Sequence, residues 1–416
     1  MSVERTTIER LYEHFVASSG VQTDSRKVAL GEMFFALKGA SFDGNKYAAK
    51  ALEAGAKVAV VDDESVVVDD RYLLVDDVLK ALQQLAHYHR GRLSAPVLAI
   101  TGTNGKTTTK ELSAAVLCRK FRTYYTQGNL NNHIGVPLTL LSVPSDAEFV
   151  IVEMGASSRG EIALLAEIAA PDYGLITNIG RAHLEGFGGE EGVRKGKGEL
   201  YDYLAAHGGK ALFRSDDATL AAMVAEREGL SAEGYETSVA EGFVSNLVGD
   251  YNRFNIAAAV AVGRHFGVAE EDIAAAVAGY EPKNNRSQSM QTERNLLTVD
   301  CYNANPSSMV AAITNFHSTT HANYPHKMMI LGDMLELGEW SEAEHQRVLK
   351  EALAGEAKVV VVGKNFSSVA SSQEGVTSFL STLEAAEWLK ESALTQTFIL
   401  VKGSRGIGLE RLLEVL

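Results

Sequence analysis

The sequence predicts an α/β protein with three domains, and its element pattern and its length support this fold class. Short apolar runs, typical of buried parallel strands, alternate along the chain with stretches of helical periodicity, as in doubly wound sheets. The chain has 416 residues, too many for one hydrophobic core, because a domain typically has about 150 residues. A helix from residue 78 to about residue 90 leads into the second unit, and the periodicity stops around residues 280–286. We therefore predict domains over residues 1–82, 83–283 and 284–416.

The first predicted domain is a small α/β unit. Its patterns place helices over residues 7–18 and 47–54 and strands over residues 33–37 and 57–61. Before the first strand, residues 21–26 predict a polar turn that contains Ser25 and Arg26. The residues alone leave open an ordinary Asx-turn with a solvated arginine.

The central domain opens with a motif that predicts a phosphate-binding loop. Residues 97–100 (Val-Leu-Ala-Ile) predict a buried strand, and residues 107–118 predict the helix that follows. Loop amides and the helix N-terminus converge on one point and favour an anion there. The loop and the helix start comprise Gly102, Thr103, Asn104, Gly105, Lys106, Thr107 and Thr108.

Two side chains of this loop supply what a bound nucleotide needs. Lys106 would contact the β- and γ-phosphates, and the Thr107 hydroxyl would bind Mg²⁺. Only Thr103 and Asn104 separate the two glycines, whereas the usual P-loop has four residues there. The plainer alternative is an exposed lysine at a helix start. The strand before the loop and the helix after it favour a nucleotide-phosphate site.

Polar residues follow the next two predicted strands of the central domain, where a parallel sheet binds its ligands. Glu153 follows the strand over residues 149–152, so it is a candidate Mg²⁺ ligand. It could instead cap the helix predicted over residues 157–169. His183 comes after the strand over residues 173–176 and is either a metal ligand or a satisfied loop histidine.

Two later helical stretches leave their roles open from the residues alone. Lys197 lies in a helix over residues 190–201 that is normally a solvated basic face. Asn252 and Asn255 lie three residues apart on one face of a later helix. Their amides can contact a base edge or cap the helix.

The third predicted domain is a second α/β sheet, similar in architecture to a dinucleotide-binding fold. Its strands are predicted over residues 296–299, 328–331, 358–362 and 398–401, and its helices over residues 308–316, 341–353 and 382–394. No G-x-G-x-x-G motif follows its first strand, so we do not expect a nicotinamide cofactor. Asp300 follows that strand directly.

Composition and charge argue against several classes of protein. The formal net charge of −14 disfavours nucleic acid or an anionic membrane as the main partner. Two cysteines are too few for a disulfide framework and fit a reducing compartment. No apolar run approaches the roughly 20 residues of a membrane span. We expect a cytoplasmic monomer that binds small molecules.

Taken together, these features resemble the Mur ligase family, the ATP-dependent amide-forming enzymes of bacterial peptidoglycan precursor synthesis. Residues 101–108 resemble the short P-loop of that family, including its two-residue spacing. Glu153, His183 and Lys197 fall where the family places two Mg²⁺ ions, with Thr107 as a further ligand. In that family the lysine is carbamylated by CO₂, which makes a cation anionic.

The resemblance also implies which residues contact ATP and the UDP-linked substrate. Besides the P-loop, it assigns the nucleotide to Asn252, Asn255, Arg286 and Asp300, and it makes Lys106, Glu153, His183 and Lys197 the catalytic set. It assigns the UDP-linked substrate to Ser25, Arg26, Asn129, Asn131 and Asn132. The sequence departs from the family pattern at Asn45 and Tyr251, where histidines are common, and at Val299, where an aspartate is usual.

Four stretches resemble one branch of the family, the ligases that join D-alanyl-D-alanine to UDP-N-acetylmuramoyl-tripeptide. They cover residues 128–137, 300–306, 331–338 and 401–405. A D-N-P-R signature, typical of the ligases that add the third amino acid, is absent from the third domain. The implied reaction consumes ATP, with Mg²⁺, and passes through an acyl phosphate. The alternatives are a Mur ligase that adds a single amino acid and a P-loop switch or kinase without ligation.

Overall fold

The computed structural model describes residues 5–247, 249–282 and 288–416. Three separate β-sheets, each flanked by helices, follow one another along the chain. The first two sheets are wholly parallel, and the third is parallel except at one edge. The predicted α/β class is therefore confirmed.

The first sheet has four strands in the order β1-β2-β5-β6, and a separate hairpin joins β3 to β4. The elements are α1 (Ile8–Val16), β1 (Val21–Gln22), β2 (Met33–Phe35), β3 (Lys38–Gly39), β4 (Phe42–Asp43), α2 (Ala48–Glu53), β5 (Val58–Val61), β6 (Tyr72–Leu74) and α3 (Val78–Arg90), with 3-10 helices at Gly44–Tyr47 and Glu64–Val66. All residues of β2, β5 and β6 are buried, as expected for parallel strands covered on both faces.

Helix α3 connects the first sheet with the second. Its buried side chains, such as Leu82 and Leu85, share one hydrophobic core with Phe35 of β2 and Val97 of the next sheet. Arg90 at its end pairs with Asp172 of the central unit, with 2.7 Å between Nη2 and Oδ2. The domain boundary predicted between residues 82 and 83 falls inside this helix. Both predicted boundaries stay predictions, and the second, between residues 283 and 284, lies outside the described residues.

The central sheet has six parallel strands in the order β12-β11-β10-β7-β9-β8. The elements are β7 (Val97–Thr101), α4 (Lys106–Leu117), β8 (Thr123–Tyr125), α5 (Gly135–Leu141), β9 (Phe149–Glu153), α6 (Glu161–Ala169), β10 (Tyr173–Ile176), α7 (Leu184–Phe187), α8 (Glu190–His207), β11 (Lys210–Arg214), α9 (Ala218–Ala225), β12 (Ser231–Tyr235), α10 (Asn252–His265) and α11 (Glu270–Gly279), with a 3-10 helix at Thr237–Ala240. Because β7 lies between β9 and β10, the loops after these three strands are neighbours.

The third sheet has the order β13-β14-β18-β15-β16-β17, and only β13 runs antiparallel to its neighbour. The elements are β13 (Gln288–Gln291), β14 (Leu296–Asp300), α12 (Pro306–Ser318), β15 (His326–Gly332), α13 (Ser341–Ala352), β16 (Lys358–Val362), α14 (Lys364–Ala370), β17 (Val376–Phe379), α15 (Thr382–Ser392) and β18 (Thr397–Lys402), with 3-10 helices at Gly338–Trp340, Arg405–Ile407 and Leu409–Glu414.

An apolar cluster joins the third unit to the central one. Leu184, Phe187 and Val193 from α7 and α8 are buried together with Met334 and Leu337 from the loop after β15. The third sheet is thus docked beside the loops of the central sheet. Within the described residues, no helix combines the length and the apolar character needed to span a membrane.

Candidate active site

The site is built where β7, β9 and β10 end. Ile100 of β7 lies beside Glu153 of β9, and Thr101 lies beside Ile176 of β10. This register brings the loop after β7, the carboxylate that ends β9 and the loop after β10 to one edge of the sheet. Glu153 is the last residue of its strand and not a cap of α6, which begins only at Glu161.

Both loop glycines have backbone conformations that a side chain would disturb. Gly102 has φ +139°, and a Cβ there would lie 2.0 Å from Thr177 Oγ1. Gly105, the N-cap of α4, has φ +77°, and a Cβ there would lie 2.2 Å from Asn255 Oδ1. The loop can therefore approach these two neighbours only because both positions lack a Cβ.

The loop after β10 holds the phosphate-binding loop in place. Asn104 donates its backbone N–H to Asn178 Oδ1 at 3.1 Å, and its carbonyl accepts from Thr177 Oγ1 at 2.6 Å. The Thr103 N–H donates to the Asn178 carbonyl at 3.0 Å. Lys106 Nζ donates to the carbonyls of Gly102 and Thr103 at 2.7 and 3.0 Å. The lysine thus lies over its own loop.

Glu153 is a buried carboxylate at the start of α4. Its Oε1 accepts from Thr107 Oγ1 at 3.1 Å and from Asn131 Nδ2 at 2.8 Å, and the residue is 1% exposed. Its Oε2 is buried and has no hydrogen-bond partner in the described part of the chain. Asn131, which the resemblance assigned to the UDP-linked substrate, therefore lies at this carboxylate.

The pair of Thr107 and Glu153 fits Mg²⁺. This ion usually binds one or two protein oxygens and takes its other ligands from phosphates and water. In the ranges that the structure describes, no three or more His, Cys, Asp and Glu side chains converge into a self-contained metal site. A bound nucleotide would have to supply the remaining ligands.

His183 begins the short helix α7 with φ +50°, and its Nδ1 contacts the carboxylate of Glu336 from the third unit. Burial lowers the pKa of His183 below its usual value, although the Glu336 carboxylate opposes this shift, and the charge of Lys106 lowers the pKa further. A neutral imidazole is the form that binds metals. A carboxylate at Nδ1 leaves Nε2 as the nitrogen available to an ion.

Lys197 is buried, so the solvated basic face predicted for its stretch is wrong at this position. It is 2% exposed, and its Nζ donates to the Ala156 carbonyl at 3.1 Å and lies 5.0 Å from the centre of the Phe187 ring. Burial, and then the charge of Lys106, lower the pKa of Lys197 well below its usual range. The amine is therefore far easier to deprotonate than a surface lysine.

The two asparagines of α10 are buried against the phosphate-binding loop. Asn255 Nδ2 donates to Asn252 Oδ1 at 2.8 Å, and Asn255 Oδ1 accepts from Thr109 Oγ1 at 3.1 Å. The helix begins at Asn252, and its N-cap residue is Tyr251, which makes no capping hydrogen bond. Neither asparagine side chain caps the helix. The capping alternative is therefore wrong, and contact with a base edge stays a prediction.

The remaining nucleotide candidates belong to the third unit or its connection. Asp300 ends β14 and pairs with Lys402, which is 1% exposed, at the end of the neighbouring strand β18. Arg286 lies outside the described residues, so its predicted place at the nucleotide stays a prediction.

The other candidates for the UDP-linked substrate lie in surface turns. Arg26 is bound by Asp24 through two hydrogen bonds of 2.9 and 2.8 Å in an Asx-turn that includes Ser25. These bonds hold the pKa of Asp24 well below its usual range. Asn132 Oδ1 accepts the N–H groups of residues 134 and 135 at the start of α5, and Asn129 is exposed. Their substrate roles stay predictions.

Polar contacts join the third unit directly to the loops of the central sheet. Asn305, the N-cap of α12, donates from Nδ2 to Asn104 Oδ1 at 2.7 Å. The Arg181 N–H donates to Ser307 Oγ at 2.8 Å, and its guanidinium pairs with Glu344, which is 4% exposed. The site thus includes residues from two units of the chain.

Sequence reasoning missed three residues of this site. Asn178 comes just after β10, and its position at a strand end is a signal that could have found it. Asn305 carried the signal of an N-cap before a proline, but nothing in the sequence predicts which loop it reaches. Lys110 lies one turn after Lys106 on α4 and is wholly buried beside Glu153, which helical spacing alone does not reveal.

Comparison with known sequences decides the family. Three Mur ligase models match in succession, the family's catalytic domain over residues 18–90, its middle domain over residues 100–238 and its glutamate ligase domain over residues 285–405. A UDP-N-acetylmuramoyl-tripeptide–D-alanyl-D-alanine ligase from Bacillus subtilis (strain 168) is 35% identical, with 99% of this chain and 96% of that protein covered. The chain belongs to the Mur ligase family. The protein of the same name from Escherichia coli (strain K12) is 34% identical over 96% of this Mur ligase and 94% of that chain.

Solved structures show the same architecture over the full length. MurF from Acinetobacter baumannii superposes with a TM-score of 0.86 at 29% identity and covers 100% of this Mur ligase and 99% of that chain. MurF ligase from Thermotoga maritima in complex with ADP has a TM-score of 0.84 at 26% identity. The match covers 96% of this chain and 97% of that chain. This Mur ligase is an ATP-dependent ligase of peptidoglycan precursor synthesis.

Proposed function

We propose that this Mur ligase joins D-alanyl-D-alanine to UDP-N-acetylmuramoyl-tripeptide at the expense of ATP. The observation that carries the proposal is the 35% identity over 99% of the chain to a protein named for this reaction. The four stretches that resemble this branch of the family all lie in the aligned chain. A cytoplasmic location and a monomeric state are part of the same proposal.

The reaction activates a carboxylate and then couples it to an amine. The terminal carboxylate of the tripeptide attacks the γ-phosphorus of ATP, and ADP leaves with the electrons of the broken P–O bond. The amine of the dipeptide then attacks the acyl phosphate, loses a proton and expels inorganic phosphate. Two anions must meet in the first step, so positioning and charge neutralisation supply most of the catalysis.

The phosphate-binding loop would supply that neutralisation from this chain. Lys106 lies over its own loop, within reach of the carbonyls of Gly102 and Thr103. It would turn from them to the β- and γ-phosphates, with the loop amides and the start of α4 beside it. Asn252, Asn255, Arg286 and Asp300 are proposed for the adenosine side, and Ser25, Arg26, Asn129, Asn131 and Asn132 for the UDP-linked substrate.

Mg²⁺ would be held by Thr107 and Glu153, and a second ion by His183. When bound, these ions neutralise the phosphates and orient the carboxylate that reacts. The contact of 3.1 Å between Thr107 Oγ1 and the Oε1 of the buried Glu153 supports this assignment, because it places two oxygen ligands side by side. The lowered pKa of His183 supports it as well, because the neutral imidazole is the ligand.

Lys197 is proposed to carry a carbamate. Its neutral amine would attack CO₂, forming an N–C bond and releasing one proton, so that the side chain becomes an anion. Burial favours the neutral amine that this step needs, since it lowers the pKa of Lys197. An ammonium in a site that binds Mg²⁺ would be repulsive, whereas a carbamate would be attractive.

A matrix of substrates with phosphate release as the readout tests the proposal. We expect release only when ATP, UDP-N-acetylmuramoyl-tripeptide and D-alanyl-D-alanine are all present. Release with a single amino acid and none with the dipeptide would assign the chain to another Mur ligase reaction. Turnover of ATP that is indifferent to both other substrates would indicate a nucleotide-dependent switch or kinase instead.

A further inference from the structure

A lysine that the proposed chemistry does not use is buried beside the metal carboxylate. Lys110 lies on α4, one turn after Lys106, and its side chain is 1% exposed. Its Nζ lies 3.5 Å from Oε2 of Glu153, whose side chain is 2% exposed. Neither atom has a hydrogen-bond partner among the residues that the structure describes, so the two face each other as a buried ion pair.

The two oxygens of Glu153 thus have different surroundings. Oε1 faces the Thr107 hydroxyl and the Asn131 amide, which are the polar groups on the phosphate-binding side. Oε2 lies 3.5 Å from the Nζ of Lys110. The carboxylate plane is therefore fixed from both ends, and Oε1 is directed towards Thr107.

Lys110 is itself held by neighbours outside the phosphate-binding loop. Its Nζ lies 3.8 Å from Oε1 of Glu111, and the Glu111 Oε2 accepts from the Tyr280 hydroxyl at 2.6 Å. The Tyr125 ring centre lies 5.9 Å from Nζ. An ion pair this deeply buried is costly to desolvate and is weak as a device for stability alone.

We propose that Lys110 is a positioning residue that fixes the Glu153 carboxylate for Mg²⁺ binding with the nucleotide. This inference rests on the proposed metal role of Glu153. Lys110 neutralises the carboxylate and holds Oε2, so that Oε1 and Thr107 form a pair of oxygen ligands on one side. Removing a residue that holds a metal ligand in place typically weakens metal binding about 10–100-fold.

Binding of ADP with and without Mg²⁺ tests the role without relying on ligation. For Lys110→Met, we expect the Mg²⁺ concentration that half-saturates the ADP complex to rise about tenfold or more, as measured by calorimetry. Affinity for ADP in EDTA should change less than threefold. In steady-state assays, the Mg²⁺ requirement should rise while the KM for D-alanyl-D-alanine stays constant.

Lys402 provides a matched control, because it is an equally buried lysine paired with a carboxylate outside the metal site, Asp300. Lys402→Met should alter ADP affinity to the same extent with and without Mg²⁺. A double-mutant cycle with Glu153→Gln completes the test. Adding Lys110→Met to Glu153→Gln should not change the Mg²⁺ dependence further.

Unchanged or tighter Mg²⁺ binding by Lys110→Met would overturn the inference, even if ligation by the wild-type protein confirms the proposed function. If Lys110→Met does not fold, Lys110→Gln replaces it, because glutamine keeps a donor to the carboxylate without the charge. The Mg²⁺ dependence of ADP binding is then measured for Lys110→Gln in the same way. A wild-type protein that shows no Mg²⁺-dependent ADP binding would contradict the proposed metal site itself. The two failures are therefore distinguishable.

Discussion

Asn305 of the third unit donates a hydrogen bond to Asn104 in the phosphate-binding loop, with 2.7 Å between Nδ2 and Oδ1. The same Asn305 side chain caps α12, because its Oδ1 accepts the N–H of Ser308 at 2.9 Å. Docking of the third unit is thus linked to the loop that is proposed to bind the nucleotide phosphates. An acyl phosphate needs such closure, since water would otherwise hydrolyse it.

The first prediction concerns this contact. Asn305→Ser should keep the helix cap, because serine is a good N-cap, and lose the bond to Asn104, which it is too short to reach. We expect kcat to fall about three- to tenfold, the worth of one neutral hydrogen bond, with little change in the thermal midpoint. Asn305→Ala serves as the comparison, because it loses cap and contact together. Unchanged kcat in Asn305→Ser would show that the contact is not part of the catalytic arrangement.

The second prediction concerns Gly105. Gly105→Ala should destabilise the protein by roughly 3 kcal/mol or more and abolish ADP binding, because a Cβ adds left-handed strain and overlaps Asn255. Gly229 is a matched control with φ +82° and nothing within 4 Å of its Cβ position. Gly229→Ala should cost only about 1 kcal/mol. Urea unfolding and ADP calorimetry measure both effects, and equal costs at the two glycines would contradict the account.

The third prediction concerns Lys106. Lys106→Ala should lower ligation about 10²–10³-fold or more, because the charge on the β- and γ-phosphates is lost. The fold should persist, since Lys106 Nζ donates to carbonyls of its own loop, those of Gly102 and Thr103. Circular dichroism and the thermal midpoint check the fold. Ligation at the wild-type rate would mean that the loop has another role.

The fourth prediction concerns pH and Lys197. Because burial lowers its pKa in the folded protein, the unfolded chain binds more protons between that pKa and about 10.4, the usual lysine value. Stability should therefore rise with pH over this window, by up to about 1.4 kcal/mol per pH unit. Lys197→Met should flatten the rise in urea midpoints measured from pH 8 to 10 in CO₂-free buffer.

Lys195 supplies the control for this pH effect, because its side chain is 55% exposed on the same helix. Lys195→Met should leave the slope of stability against pH as in the wild type. Identical slopes for Lys197→Met and the wild type would show that Lys197 does not resist protonation in the folded state.

The sequence predicted the buried parts of the fold well and its edges poorly. Residues 97–100 of β7 and 359–362 of β16 are continuous apolar runs, which parallel strands buried on both faces require. The edge strand β12 reads Ser-Ala-Glu-Gly-Tyr and is mostly exposed, so no apolar pattern marks it. Residues 21–22 were predicted as part of a turn but form β1, whose pairing with β2 depends on contacts distant in sequence.

In the candidate site, too, features set by local sequence were predicted, and features that depend on contacts distant in sequence were not. Local spacing identified the phosphate-binding loop, because strand, glycines and helix start are adjacent in sequence. It could not show that Lys197 is buried, since this depends on Phe187 and Ala156, which the fold brings to it. The resemblance to the family supplied that residue. Neither spacing nor resemblance indicated Lys110 on α4, whose partner Glu153 is 43 residues away on strand β9.

Mass spectrometry of the ligation product shows which amine this Mur ligase couples. The purified protein is incubated with ATP, Mg²⁺, UDP-N-acetylmuramoyl-tripeptide and D-alanyl-D-alanine, and the products are measured by mass spectrometry. We expect one UDP-linked product that carries the intact dipeptide, formed in equal amount with ADP and inorganic phosphate. ADP without a dipeptide-bearing product, or a product that carries a single amino acid, would contradict this expectation.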